Sequence, residues 1–204
     1  PDGVSDEQAL LVGDILSSGY FGAELCEIEK GDTVAILGAG PVGICAALCV
    51  KQLPAVSVVL IDIDQQRLNF AAKNGVADFY INSLTQDVAA LIRAKTEGRG
   101  ADRVIEAAGG ETTFETAWQI ARPNAVVALI AMYEKAQVLP LPEMYGKNLT
   151  FKTGGVDACH CGELLELIKT GTLDPSFLIT HRFSLREVEH AYDLFQKREE
   201  FCLK

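Results

Sequence analysis

The sequence lacks an excess of basic residues, a regular cysteine framework and a long uninterrupted apolar run. Its 18 lysines and arginines face 28 acidic residues, a net charge of −10. Release of counterions from a phosphate backbone therefore cannot drive nucleic-acid binding, and an anionic membrane surface is an equally poor partner. Six cysteines in 204 residues are too few for a small disulfide-stabilised secreted domain, which favours a reducing, cytoplasmic location. The longest uncharged stretch, 33–50, is interrupted by three glycines and a proline and does not suit a membrane span.

Short apolar runs alternate with amphipathic stretches along most of the chain. The hydrophobic fraction of 49% and the charged fraction of 23% are ordinary for a globular protein. Apolar runs of strand length lie at 33–37, 57–61, 102–107, 125–131 and 149–153. Several of them are too uniformly apolar for a sheet with one face exposed to solvent. Helix candidates lie at 42–53, 65–74, 86–97, 111–121 and 161–170, with Asp64 and Thr112 as N-caps. This alternation predicts an α/β fold, a parallel sheet covered by helices on both faces.

The two ends of the chain have a different pattern. Segments 5–8 and 184–187 both fit helix capping boxes. After the second box, one apolar stripe predicts a core-facing helix, formed by Leu185, Val188, Ala191, Tyr192 and Phe195. The chain opens with Pro1 rather than Met, and 201–204 has the composition of a strand beginning. We therefore expect a piece of a longer protein.

A glycine motif carries the strongest functional signal. Gly38, Gly40 and Gly43 form G-x-G-x-x-G, with Pro41 and Val42 between the second and third glycines. The motif follows one apolar strand and opens a helix, which is the context of a dinucleotide-binding turn in a Rossmann-type doubly wound sheet. The first glycine allows the tight turn, the second allows close approach of a pyrophosphate, and the third allows close helix packing. Free N–H groups at the helix start would bind the phosphates.

Asp62 predicts which dinucleotide is bound. It ends the second apolar strand, 19 residues after Gly43, where an acid accepts hydrogen bonds from the adenosine ribose hydroxyls. Its carboxylate would repel a 2′-phosphate, so the expected cofactor is NAD rather than NADP. The alternative is a structural glycine turn with a surface Asp. Ala107, Ala108 and Gly109 end the fourth predicted strand and would line the same crevice.

Several segments together resemble the zinc-dependent, medium-chain alcohol dehydrogenase family. They are 13–23, 30–34, the glycine motif, 98–102, 147–150 and 180–183. The resemblance covers the whole chain in order and is closest to the branch of formaldehyde-dehydrogenase-like and bacterial secondary-alcohol enzymes. It implies that residues 1–204 form the cofactor-binding domain alone. The family's N-terminal GroES-like catalytic domain, with its Cys ligand and Gly-His-Glu motif, has no counterpart in this chain.

The resemblance also implies roles for single residues. Asp14 stands where the family supplies the last protein ligand to the catalytic zinc, and Ser18 where a small hydroxyl residue touches the nicotinamide ring. Taken alone, Asp14 is a lone acid in an apolar stretch, typical of a capping or solvated side chain. Arg67 stands where a basic residue lies near the adenosine ribose, and Lys204 where one reaches the pyrophosphate. For each of these two, a solvated surface cation is the alternative.

Other patterns carry no chemistry in this interpretation. The Cys-His-Cys run at 159–161 has unsuitable spacing for one metal ion and no second ligand pair elsewhere, so it is interpreted as structural. Cys45 and Cys49, one helical turn apart, are expected to be buried packing residues. Trp118 is expected to pack its helix onto the sheet.

The resulting hypothesis is the NAD-binding domain of a zinc-dependent dehydrogenase that transfers hydride between NAD and an alcohol or aldehyde hydrate. One alternative is a non-enzymatic NAD-binding redox sensor or regulatory module. A zinc-free reductase is disfavoured by Asp14. The zinc belongs to the full-length protein, so this chain alone is expected to bind NAD without oxidising alcohols. A homo-oligomer, dimer or tetramer, is expected through a sheet edge formed by 125–131 and the Leu-Pro-Leu-Pro segment at 139–142.

Overall fold

Six parallel strands form the centre of the fold. The computed structural model describes residues 2–197 and 201–204. The strands are β1 (Thr33–Leu37), β2 (Ser57–Asp62), β3 (Phe79–Asn82), β4 (Ala101–Glu106), β5 (Ala121–Leu129) and β6 (Thr150–Thr153). Their order is β3-β2-β1-β4-β5-β6, and every pairing is parallel. The predicted Rossmann-type doubly wound sheet is confirmed, and its direction of winding reverses between β1 and β4.

Helices cover both faces of this sheet. They are α1 (Asp6–Leu11), α2 (Ser17–Leu25), α3 (Pro41–Val50), α4 (Gln65–Lys73), α5 (Val88–Lys95), α6 (Thr113–Ile120), α7 (Leu141–Met144), α8 (Cys161–Lys169) and α9 (Val188–Lys197). A π-helical turn, Val12–Leu16, joins α1 to α2, and 3-10 turns lie at Ser176–Leu178 and Leu185–Glu187. None of the helices in the described ranges has the length and apolarity that a bilayer crossing requires.

The sequence predicted the helix starts with mixed success. Both capping boxes form, at Ser5 and at Ser184. Asp64 caps α4 by accepting the N–H of Gln66 at 2.8 Å. Thr112 occupies the N-cap position of α6, as predicted, but its side chain makes no capping hydrogen bond. Its backbone is already helical (φ −110, ψ −2), whereas an N-cap residue needs an extended backbone to turn its side chain toward the free N–H groups.

Alternation along the strands divides the core between the two faces. In β1, Val34 and Ile36 pack with α2, α3 and α8, while Ala35 and Leu37 pack with α5 and α6. Successive side chains of a strand point to opposite faces, so a strand that is covered on both faces, such as β1, can be apolar at every position. This explains the uniformly apolar runs in the sequence. Cys45 and Cys49 are buried in the first of these clusters, as predicted.

The junction of α6 and β5 differs from the prediction. The expected helix 111–121 is α6, which ends at Ile120, and Ala121 already begins β5. Lys147 makes this abrupt change possible by donating hydrogen bonds to the carbonyl oxygens of Trp118 and Ala121, at 2.7 and 2.9 Å. Helix carbonyls near a C-terminus need such donors. Burial, with a smaller contribution from the charge of Arg93, lowers the pKa of Lys147.

Paired charges stabilise the amino ends of the strands. Asp102, at the start of β4, accepts the N–H of Thr33 at 2.8 Å and hydrogen bonds from Arg122 at 2.6 Å and Arg99 at 3.3 Å. Burial raises the pKa of Asp102, but these donors outweigh it and the pKa lies below its ordinary value. The charged network therefore lies at the end of the sheet opposite to the crevice.

The sheet edges correct one expectation and include one strand that the sequence did not predict. The segment 125–131 is not an edge, because β5 pairs with β4 on one side and β6 on the other. The edges are β6 and the short β3. Of these two strands, the sequence did not predict β3. β3 escaped notice because it has four residues, of which only Ile81 and Asn82 are buried, too few for a recognisable apolar run.

The predicted core-facing stripe of α9 is wrong in this chain. Leu185 is 88% exposed, Tyr192 72% and Phe195 52%, and only Leu194 of this helix is buried. The helix forms with its apolar stripe directed away from the rest of the described chain. The periodicity therefore identified the helix correctly but not the surface against which it packs.

Candidate functional site

The glycine turn connects β1 to α3 at the carboxyl end of the sheet. Gly38 has φ 105, a conformation that favours glycine, and its N–H donates to the carbonyl of Ile61 at 2.7 Å. A Cβ at Gly43 would lie 1.8 Å from the carbonyl oxygen of Gly38. These two glycines are therefore required by the protein's own backbone.

Gly40 has no such requirement. It precedes α3 as its N-cap with φ −78 and ψ 179, and the nearest atom to an added Cβ would be Nη1 of Arg67 at 3.6 Å, an ordinary contact. Nothing in the described backbone excludes a side chain here. The close approach of a ligand remains as the physical reason for glycine at this position.

The N–H groups at the start of α3 are free to bind an anion. Pro41 occupies the first turn and has no N–H to lose, and no side chain caps the helix. Val42 and Gly43 follow, so their N–H groups belong to the first turn, which has no intrahelical acceptors. With the helix dipole, such groups favour a phosphate. The residues present therefore fit the pyrophosphate of a dinucleotide.

Asp62 ends β2 beside this turn. One carboxylate oxygen accepts the N–H of Ala39 at 2.6 Å, and the other accepts the N–H of Asp64 at 2.8 Å. The side chain is half-buried. Two backbone donors thus hold the carboxylate in one orientation, and its remaining lone pairs are free to accept hydrogen bonds from a ligand.

Arg67 approaches the same turn from α4. Its Nε lies 3.8 Å from a carboxylate oxygen of Asp64, and its guanidinium is the group that an added Cβ at Gly40 would contact. The side chain is about a quarter exposed, at 27%. The cation therefore lies over the entrance to the glycine turn rather than in bulk solvent alone.

A cleft of about 970 Å³ opens at the carboxyl ends of β1, β2, β4 and β5. Seven of the residues selected from the sequence line it: Gly38, Gly40, Asp62, Arg67, Ala107, Ala108 and Gly109. This is the crevice at the reversal of strand order, where doubly wound sheets bind ligands. Its volume is at the upper end of the range of about 300–1,000 Å³ for small-molecule sites. Trp118, the chain's single tryptophan, also lines it.

Asp14 and Ser18 lie outside this cleft lining, around the π-helical turn. Asp14 is exposed, and Oγ of Ser18 lies 3.5 Å from its carboxylate. The wide turn is stabilised by Ser17, whose hydroxyl donates to the carbonyl of Val12 five residues earlier, at 2.5 Å. Such π-turns occur frequently at functional sites. Close backbone contact at Gly19, where an added Cβ would lie 2.4 Å from the nitrogen of Ala46, fixes this segment against α3.

A zinc site is not complete within the described residues. Asp14 is a single oxygen donor, and the described ranges hold no group of three His, Cys, Asp or Glu side chains that could bind a metal. Catalytic zinc needs three protein ligands and an open position. The residues of this chain therefore do not fit the metal by themselves, and we assign no chemical step to it here.

Lys204 lies apart from the cleft lining. Its carbonyl accepts the N–H groups of Thr180 and His181 at 3.1 and 3.3 Å, so the last residues are held against that segment. Burial raises the pKa of Cys45 well above its usual value, and the charge of Asp14 adds to this while that of Lys204 opposes it. Both charges therefore act on Cys45, two residues after Gly43 in α3.

The Cys-His-Cys segment forms a contact between α2 and α8. The imidazole of His160 lies between the carboxylates of Glu24 and Glu163, at 3.1 and 3.3 Å, and packs on the ring of Tyr20 at 4.9 Å. Cys159 is exposed, and its backbone N–H donates to a carboxylate oxygen of Asp157 at 3.1 Å. These contacts join the two helices on the face remote from Trp118.

Sequence reasoning missed Glu106 and Tyr133. Glu106, the last residue of β4, is fully buried, and its carboxylate accepts a hydrogen bond from Tyr133 at 2.5 Å. An acid at the end of an apolar run was a signal in the sequence, because the same position in β2 drew attention to Asp62. Tyr133 follows β5 in an irregular segment, and no pattern marked it.

Comparisons with known proteins agree with this geometry. Residues 41–168 match the family described as zinc-binding dehydrogenase. An alcohol dehydrogenase of Cupriavidus necator is 34% identical over 210 residues, covering 100% of this chain and 57% of that protein. An NADP-dependent isopropanol dehydrogenase of Thermoanaerobacter brockii is 30% identical, covering 100% of this chain and 60% of that protein.

Solved structures give the same result. An alcohol dehydrogenase from Thermus sp. ATN1 superimposes with a TM-score of 0.91 at 32% identity, covering 98% of this chain and 59% of that one. The chain thus spans somewhat more than half the length of the relatives that it matches. All of these relatives are dehydrogenases, and they give no support to the regulatory-module alternative. Because the matched region is more than half of its length, the chain belongs to the zinc-binding dehydrogenase family.

Proposed function

We propose that this chain is the dinucleotide-binding domain of an alcohol dehydrogenase that uses NAD. In that reaction hydride passes between the carbinol carbon of an alcohol, or of an aldehyde hydrate, and C4 of the nicotinamide. The observation that carries the proposal is the glycine turn: Gly38 and Gly43 are required by local packing, whereas Gly40 is explained by an approaching pyrophosphate. Residues of this chain bind and orient the cofactor.

The preference for NAD over NADP rests on Asp62. Its carboxylate is fixed by the N–H groups of Ala39 and Asp64 and cannot turn away from a 2′-phosphate without breaking those bonds. An unpaired charge facing a phosphate should cost a few kcal/mol, roughly a hundredfold in affinity. One relative is named as NADP-dependent, so the specificity of this chain needs its own measurement.

Calorimetric titration with NADH and NADPH tests this proposal. The chain should bind NADH about a hundredfold more tightly, and Asp62→Ala should narrow that ratio. Asp78→Ala is the matched control, because Asp78 also accepts a backbone N–H, that of Val58 at 2.8 Å, but at the amino end of β2. Equal affinities in the parent chain, or an unchanged ratio in Asp62→Ala, would exclude Asp62 as the determinant.

We further propose that the remaining ligands of the catalytic zinc, besides Asp14, and the alcohol-binding pocket lie in a GroES-like domain outside residues 1–204. The single predicted ligand Asp14, the absence of a metal-binding group among the described residues, and the partial coverage of relatives support this. The exposed stripe of α9 is a surface for that domain to cover. An alcohol-dependent NADH absorbance assay on this chain should show no turnover, and supply of the missing domain should restore it.

The sheet edge at β6 supports a homo-oligomer, either a dimer or a tetramer. Beside it lies an apolar groove whose lining includes Leu139, Leu141, Met144 and Phe151, and an unpaired edge strand offers hydrogen bonds to a second copy. Light scattering at increasing concentration should show association that Leu141→Asp weakens. A cytoplasmic location fits the free thiols of all six cysteines.

A further inference from the structure

Glu106 is a buried acid without an ion pair. It has 0% exposure, and among residues 2–197 and 201–204 no basic side chain forms a salt bridge with it. Burial of a carboxylate is costly unless hydrogen bonds replace its water. The position of its donors therefore shows what holds the group in place.

Those donors come from two different loops. One carboxylate oxygen accepts the N–H groups of Ala108 and Gly109, both at 2.9 Å, and the other accepts the hydroxyl of Tyr133 at 2.5 Å. The carbonyl of Glu106 also accepts the N–H groups of Ile130 and Ala131, at 3.0 and 3.1 Å. A single residue thus ties the loop after β4 to the segment after β5.

Both loops line the cleft and touch each other through their backbones. A Cβ on Gly109 would lie 2.5 Å from the carbonyl oxygen of Met132, and a Cβ on Gly38 would lie 3.1 Å from the backbone of Ala107. The loop after β4 is therefore packed between the glycine turn and the end of β5. A small displacement of this loop would change the shape of the cleft, because no space separates the three segments.

The cleft has two halves, and the loops that Glu106 connects lie in the half without Asp62. In the proposed function, Asp62 at the end of β2 contacts the adenosine ribose, and a dinucleotide crosses the reversal point between β1 and β4. The nicotinamide half of the dinucleotide then lies over the carboxyl ends of β4 and β5. That half is bounded by the loops that Glu106 connects.

We propose that Glu106 and Tyr133 form a positioning pair that sets the affinity for the nicotinamide half of the dinucleotide, without contacting the adenosine half. This inference rests on the proposed function. The pair fixes the distance between the two loops, so that the surface against which the nicotinamide binds is already ordered before binding. Preorganisation of this kind raises affinity because less ordering is needed on binding.

The hydroxyl of Tyr133 is suited to a permanent donor role. Burial, the hydrogen bond to Glu106 and the charge of Glu106 all raise its pKa above the ordinary value. The hydroxyl of Tyr133 therefore stays protonated near neutral pH and is available as the donor of this hydrogen bond.

The test separates the two halves of the ligand in the full chain with Tyr133→Phe. This variant keeps the ring and removes the hydroxyl that reaches Glu106. Calorimetry should show affinity for NADH reduced about fivefold, the effect of one lost hydrogen bond, with affinity for AMP unchanged. Emission of Trp118, which lines the cleft, gives a second readout of NADH binding.

Tyr80→Phe is the matched control, because the hydroxyl of Tyr80 is also hydrogen-bonded, accepting the backbone N–H of Ala77 at 2.8 Å, but it lies at β3, away from the cleft lining. It should leave both affinities unchanged. An unaltered NADH affinity in Tyr133→Phe would overturn the inference, and so would an equal loss for AMP, since the whole cleft would then have loosened. Failure of the unsubstituted chain to bind either NADH or AMP would instead reject the proposed function.

Discussion

Substitution of the second motif glycine should separate the needs of the ligand from those of the fold. In Gly40→Ala the new Cβ would meet only Nη1 of Arg67 at 3.6 Å, so the folded chain can accept it. Loss of a favourable N-cap glycine costs up to about 1 kcal/mol. The smaller entropy of the unfolded alanine chain offsets about 0.4–1 kcal/mol of this. The free energy of unfolding should therefore change by less than about 1 kcal/mol.

The same substitution should weaken cofactor binding. A methyl group at the point of closest pyrophosphate approach is an overpacked contact worth about 1–3 kcal/mol, or roughly 5- to 150-fold in the dissociation constant for NADH. The assay is calorimetric titration with NADH beside denaturant unfolding of the same preparation. NADH binding equal to that of the parent chain would refute the argument that a ligand explains Gly40.

Gly43→Ala is the matched comparison in the same turn. Its Cβ would lie 1.8 Å from the carbonyl oxygen of Gly38, an approach that requires α3 to move away from the turn. Overpacking against backbone should cost at least about 3 kcal/mol, which in a chain of this size lowers Tm by roughly 6–12 °C. An unfolding transition within about 2 °C of the parent chain would show that the turn is looser than its geometry indicates.

Three further predictions concern stability. Gly19→Ala should lower the free energy of unfolding by about 1–3 kcal/mol, because the new Cβ would lie against the backbone nitrogen of Ala46. Gly13→Ala is the control, since its Cβ would have nothing within 4 Å. In urea titrations it should raise the free energy of unfolding by up to about 1 kcal/mol. Asp102→Asn should lower the free energy of unfolding by about 2–3 kcal/mol at pH 7. Because the pKa of Asp102 is lowered in the folded chain, this stabilisation is present above the pKa of the unfolded chain and disappears as the pH falls through the pKa of the folded chain. The difference in stability between the Asn variant and the parent chain should therefore shrink in unfolding curves below about pH 4. Tyr192→Ser, at a residue 72% exposed, should change stability by less than about 0.5 kcal/mol and reduce binding of an apolar dye, and a large loss of stability would instead place α9 against this chain's core.

The sequence was most informative where one local rule decides the outcome. Apolar runs predicted β1 and its neighbours because strands that are covered on both faces are mostly apolar. The spacing from Gly43 to Asp62 predicted the crevice because the acid must stand at the carboxyl end of β2. By contrast, β3 has too few buried residues to produce a pattern, and its pairing with β2 depends on the finished sheet.

Amphipathic periodicity has a limit that α9 illustrates. A stripe indicates which face of a helix is apolar, and the phase of the Leu185, Tyr192 and Phe195 positions is correct for a helix. The pattern does not indicate whether the covering surface belongs to the same segment of chain. The error for 125–131 has the same origin, since an interior strand and an apolar edge strand have similar composition, and only the pairing of β5 with β6 distinguishes them.

The missed pair of Glu106 and Tyr133 shows why a site is harder to predict than its fold. The motif residues are recognisable because phosphate binding depends on backbone geometry that few sequences can adopt, and this geometry is local. Glu106 acts across 27 positions in sequence, and its partner is defined only when the loops after β4 and β5 meet. The acids at the ends of β2 and β4 therefore contact different segments. Asp62 hydrogen-bonds the glycine turn on one side of the crevice, and Glu106 hydrogen-bonds the loops after β4 and β5 on the other side. The two acids therefore act on opposite sides of the strand-order reversal, where the sheet itself connects its halves through the hydrogen bonds between β1 and β4.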